Sequence, residues 1–209
     1  MLHPKKVMSQ HDGSCQDSVY GDHWLGPARL SLIDHRSKAA INTIEIRGHH
    51  WVDRVPQDEF AIPFHLEMSC LARMYYRAPG WGTGGRGAPR IMTLRDLTGE
   101  GIAGQFVLHE YINCGSSFTS VLGYSESADR AVQYSVASSD GVGAPQVMTW
   151  VPYSFGVAPL RPGYWKFTHE PGYGADSWID QEIIFNKPSQ VFVRRVKVRP
   201  YPKERAIGK

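Results

Sequence analysis

Along ARLSLID (28–34), Leu30 and Leu32 alternate with Ser31 and Ile33. Along INTIEIR (41–47), Asn42, Ile44 and Ile46 alternate with Ile41, Thr43 and Glu45. A period of two puts successive side chains on opposite faces of a strand, and the intervening DHRSKA supplies the turn of a hairpin. The same pattern predicts strands in EFAIPFHLEM, where Pro63 marks an edge or a bulge, and in RIMTLRD, QFVLHEYI, SFTSVLGYS, RAVQYSV, QVMTWVPY, GYWKFTHE, SWIDQEIIF and QVFVRRVKVR. CLARMYYRA (70–78) fits a strand or a short helix. TGEG, NCGS and ESAD separate the runs as turns, and no segment combines helix caps with a period near 3.6. The expected fold is all-β: a single antiparallel β-sandwich or jelly roll of about ten strands over residues 28–200. An irregular N-terminal arm (1–27) precedes it and a basic C-terminal tail (201–209) follows.

The chain has 209 residues, 42% of them hydrophobic, which suits one domain with a sizeable core. Its 21 Gly and 14 Pro favour turns over long helices. The net charge of +3 is too small to point to nucleic acid. No run approaches the roughly 18 apolar residues of a transmembrane segment. Lys5 and Lys6 are followed by no apolar stretch, so no signal peptide is visible and a cytoplasmic location is compatible with the start of the chain. Cys15, Cys70 and Cys114 lack C-x-x-C spacing, which leaves one disulfide plus a thiol, or three buried thiols. Gly82, Gly84 and Gly87 spell G-x-G-x-x-G, but Ala88-Pro89 and a predicted strand follow them. A dinucleotide loop needs a helix N-terminus at that point to hold the pyrophosphate, so this is a glycine-rich connection.

In LRDLTGEGIAGQFVLHEY (94–111), Asp96, Thr98 and Glu100 occupy alternate positions of a glycine-bearing loop. Oxygen ligands at positions 1, 3 and 5, with the carbonyl of Ile102 at position 7, form a set that a hard cation such as calcium can use. Residues 94–124 resemble the acidic-loop β-repeat of the FG-GAP and VCBS type, in which such a loop leads into a strand. The resemblance implies a calcium-binding loop and an extracytoplasmic or secreted setting.

SWIDQEIIF (177–185) carries the candidate catalytic groups. On a strand, Trp178, Asp180 and Glu182 share one face, opposite Ile179, Ile183 and Phe185. Carboxylates at i and i+2 come near the spacing a retaining glycoside hydrolase uses, and an adjacent aromatic can stack on a sugar. The strand is similar to the E-x-D-x-E strand of laminarinase-type jelly-roll glycoside hydrolases, with Trp178 where that motif has its nucleophilic Glu. A half-exposed sheet face accounts for the same pattern. His65 with Glu67, and His109 beside Glu110, allow a metal site across strands without any H-x-H or H-E-x-x-H spacing. Arg195, Lys197 and Arg199 form a basic face opposite Val196 and Val198, fit to bind acidic polymers or to blunt an edge strand.

Trp81, Tyr164, Trp165, Tyr173 and Trp178 lie in or beside Gly/Pro-rich loops, where aromatics serve as binding platforms. These features favour a non-enzymatic binding or structural module. It would present loop aromatics to a glycan or protein partner, with calcium ordering the 96–102 loop. The alternatives are a carbohydrate-active hydrolase using Asp180 and Glu182, or an accessory subunit of a larger assembly docked through the arm and the basic strip.

Overall fold

Every regular element among the described residues is a β-strand. The structure, a computed structural model, describes residues 3–8, 23–47, 59–63, 92–113, 116–139, 149–150, 159–170 and 175–201. The strands are β1 (Lys5–Val7), β2 (His23–Pro27), β3 (Arg29–Ile33), β4 (Ala40–Glu45), β5 (Glu59–Pro63), β6 (Gln105–Asn113), β7 (Ser116–Ser125), β8 (Arg130–Gln133), β9 (Ser135–Ser138), β10 (Thr149–Trp150), β11 (Tyr164–His169), β12 (Ser177–Asn186) and β13 (Val191–Pro200). They form sheets in the orders β1-β2-β5, β10-β7-β6 with β8 on β7, β11-β12-β13-β9, and the hairpin β3-β4. All pairings are antiparallel except β13 with β9, which is parallel.

The core lies between two of these sheets. Val107 and Val121 of β6 and β7 meet Val136, Trp165, Ile183, Phe185 and Phe192 of the β11-β12-β13-β9 sheet, with Leu97 and Tyr134 closing the cluster. Three aromatic rings interlock there edge to face: Tyr134 stands 5.7 Å from Phe185 and 5.9 Å from Phe192, with interplanar angles of 80° and 71°. The opposite side of β6 and β7 is buried as well, through Phe106, Leu108 and Leu122. That burial on both faces explains why these strands read as nearly continuous apolar runs.

Three expectations change. RAVQYSV is two strands, because the chain leaves the β7–β8 pair at Tyr134 and crosses to the other sheet as β9. The Tyr134 amide donates to the Val121 carbonyl at 2.9 Å and pins the crossing. RIMTLRD, where described, is no strand; Arg95 makes a single bridge to Gln105. The N-terminal arm is not irregular where described, since β1 and β2 pair with each other and β2 pairs with β5.

The β3–β4 hairpin attaches to β8 through side-chain amides that imitate a peptide bond. Asn42 donates to the Ala131 carbonyl at 3.0 Å and accepts from the Ala131 amide at 2.9 Å. Gln133 treats the carbonyl and amide of Arg47 in the same way, at 2.8 Å each. Asn42 therefore sits on the inward parity of β4 for a reason: its amide completes the ladder of a neighbouring strand.

Candidate functional site

The outward face of β11-β12-β13 is built by register. Thr168 pairs with Asp180 and Asp180 with Lys197; Lys166 pairs with Glu182 and Glu182 with Arg195; Trp178 pairs with Arg199. Cross-strand neighbours on one face stand close enough to interact directly, and here they alternate in charge. Arg199 grips Asp180 through two nitrogens: Nε donates to Oδ2, and Nη2 donates to Oδ1 at 2.8 Å. The Thr168 hydroxyl donates to Asp180 Oδ1 at 2.7 Å. Glu182 accepts from the Tyr164 hydroxyl at 2.6 Å and from Arg195 Nη1 at 3.4 Å. At the open end of the face the Trp178 ring meets Tyr201 edge to face, with centroids 5.2 Å apart. Four cations, Lys166, Arg195, Lys197 and Arg199, thus surround two carboxylates. Among the described residues Lys166 and Lys197 make no salt bridge, so the face keeps a net positive charge.

These contacts favour the charged form of both carboxylates. The Arg199 guanidinium, helped by the Thr168 hydroxyl, holds Asp180 down from 3.8 to about 2. The Tyr164 hydroxyl and then Arg195 lower Glu182 as well, and the same bond raises Tyr164. A glycosidase pair needs one carboxyl raised toward neutrality so that it can donate a proton. Asp180 and Glu182 are both driven the other way. Because both are depressed in the folded state, their stabilisation is present above the ordinary carboxylate range and is lost as pH falls through the folded value. A loss of stability between about pH 4 and pH 2 that shrinks in Asp180→Asn is the expected result in acid melts. An unchanged acid limb in that variant would show that the Arg199 pair contributes nothing.

The acidic loop closes on itself. Asp96 Oδ1 accepts from the amides of Gly99 at 2.7 Å and Glu100 at 3.2 Å, and Oδ2 accepts from Gly101 at 2.9 Å. Glu100 turns the other way, its side chain 3% exposed, with Oε1 3.4 Å from Gln190 Nε2 and 3.9 Å from Lys187 Nζ. The Ile102 carbonyl accepts from the Gly104 amide at 2.8 Å, and the Thr98 hydroxyl is buried without a partner. Asp96, Glu100 Oε1 and the Ile102 carbonyl thus have partners within the protein, while Glu100 Oε2 is buried without one. Among the described residues no group of three His, Cys, Asp or Glu side chains could hold a metal ion.

The loop is also seated by backbone contact. Gly163 has φ +75°, and a Cβ there would lie 2.6 Å from the Thr98 carbonyl oxygen, so only glycine lets the 161–163 turn approach. Asp96→Ala should cost about 1–2 kcal/mol through its three lost amide bonds. Melting temperatures of the parent in EDTA and in millimolar calcium should coincide. A fall on chelation that Asp96→Ala abolishes would restore the metal.

Of the five aromatics expected to face a ligand, Trp178 and Tyr164 lie on the outward face. Trp165 does not: its position on β11 has core parity, it is fully buried, and its ring packs 5.8 Å from Phe192. Alternation along a strand decides this, and adjacency to a glycine-rich loop does not override it. Trp81 and Tyr173 lie outside the described residues, as do the three cysteines, the G-x-G-x-x-G stretch, His65, Glu67 and the side chains of His109 and Glu110. The basic strip belongs to a paired strand. Among the described residues, β13 has partners on both sides over Val191–Arg194, and β12 alone beside Arg195–Pro200. Thr168, Lys166 and Tyr201 were not singled out in the sequence, because their place beside Asp180, Glu182 and Trp178 depends on register.

An all-β protein with a charge-alternating sheet face is the class the fold defines. Comparison with known proteins gives no match: no protein-family model, no curated protein and no solved structure is similar to the chain.

Proposed function

We propose that the protein is a non-enzymatic binding module whose outward β11-β12-β13 face receives a glycan, with acidic glycans preferred. The observation that carries this reading is the engagement of both carboxylates, Asp180 by Arg199 and Thr168 and Glu182 by Tyr164 and Arg195. Groups fixed in this way are preorganised for recognition and are poor proton donors. The Trp178–Tyr201 pair offers an aromatic surface at one end, and Lys166 and Lys197 supply donors for carboxylate or sulfate groups. This reading does not require calcium at the 96–102 loop. Retention on a panel of immobilised neutral and acidic polysaccharides tests it. Retention of acidic chains that weakens as salt rises is expected; retention of none, or equal retention of neutral chains at all salt concentrations, would remove the assignment and favour a protein partner.

A further inference from the structure

The opposite, core-side face of the same sheet contains a polar line. On that face the cross-strand rows run Trp165–Ile183–Arg194, then Phe167–Gln181–Val196, then His169–Ile179–Val198. Arg194, Gln181 and His169 therefore lie on a diagonal across three strands, each step spanning about 7–8 Å between diagonal neighbours. Apolar groups flank this diagonal: Trp165 and Ile183, both sealed, and Phe167 beside the core. The rows also run from closed to open. Gln181 is 1% exposed, while Val196 and Val198 on the same face are 45% and 61% exposed.

Arg194 is the unusual member. Its Nε is buried with no acceptor, and among the described residues no carboxylate pairs with its side chain. Burial alone acts on the group, lowering its affinity for the proton. Burying a guanidinium nitrogen with nothing to donate to is unfavourable unless an acceptor arrives. At the other end of the diagonal, His169 Nδ1 lies 3.0 Å from the Glu170 carbonyl oxygen, while Nε2 is buried and unpartnered. One end thus offers unused charged donors, and the other a polar ring nitrogen. Gln181 lies between them, and the exposed valines mark a mouth.

We propose that this face binds an extended small anion, its carboxylate or phosphate group on Arg194 and a second polar group at His169 Nε2, entering past Val196 and Val198. This site is separate from the outward glycan face and does not depend on it. It also leads to an inverted stability effect, because a residue kept for a ligand is a burden without one.

The experiment uses the whole chain with inorganic phosphate and the long, extended dicarboxylate sebacate as probes, against sodium chloride of equal ionic strength. Calorimetric titration should show saturable binding of at least one probe, and the stronger of the two identifies the headgroup. Arg194→Met, which keeps the length of the side chain and removes the charge, should melt at or above the parent temperature without ligand. It should also lose the rise of several degrees that the bound probe gives the parent. Since phosphate stabilises many folds by exclusion from their surfaces, the readout is the difference between parent and variant. His169→Phe should weaken binding of the extended probe severalfold. Absence of saturable binding by both probes, an equal rise in parent and Arg194→Met, or a ligand-free Arg194→Met that melts well below the parent would each overturn the proposal; the last would mean that the protein itself satisfies Arg194.

Discussion

Trp165→Ala is expected to destabilise the protein by about 3–5 kcal/mol, the range for removing a fully buried large aromatic. For a domain of this size that is a fall of roughly 6–20 °C in melting temperature. Trp165 has no exposed surface and closes the core against Ile183 and Phe192. Its ring neighbour Phe192 is also held edge to face by Tyr134, which opposes its moving into the space left. Urea unfolding of the two proteins measures the difference. A midpoint within a few tenths molar of the parent would place Trp165 at the surface and return it to the set of ligand-facing aromatics.

Trp178→Ala is expected to do the reverse. Trp178 is half-buried on the outward face, where its main described ring contact is Tyr201. Removing it should leave the unfolding midpoint nearly unchanged and lower affinity for a retained glycan by about 2 kcal/mol, roughly 30-fold in Kd. Glu182→Gln should weaken binding only modestly, since it keeps the shape of the side chain and loses one member of a cross-strand charge pair. Affinity measured on one polysaccharide for the parent and both variants separates these expectations. Equal losses in the two variants would mean that charge, and not stacking, dominates the face.

The alternation of side chains carried most of the legible fold. Asn42, Ile44 and Ile46 face inward and Ile41, Thr43 and Glu45 outward as their period requires. Asp180 and Glu182 share the face the pattern gave them. Two kinds of information were not legible. One is the point at which a run changes sheet: Tyr134 sits inside RAVQYSV without any turn residue, and only packing on both sides breaks the strand there. The other is register, which joins residues far apart in sequence. Arg199 is 19 positions from Asp180, and no local spacing places its guanidinium on that carboxylate. The catalytic reading of Asp180 and Glu182 follows from their spacing. The tuning that argues against it comes from Arg199, Thr168, Tyr164 and Arg195 on the neighbouring strands. The acidic loop has the same character, because its spacing fits a cation while its hydrogen bonds use Asp96 to hold Gly99, Glu100 and Gly101.

Recognition without turnover at the β11-β12-β13 face is tested by assaying a polysaccharide that the protein retains for released reducing ends. With Asp180 and Glu182 both held as anions, retention is expected with no release above the buffer blank over a prolonged incubation at neutral pH. Reducing sugar produced by the parent and lost in Glu182→Gln would contradict it and make this strand the active site of a hydrolase.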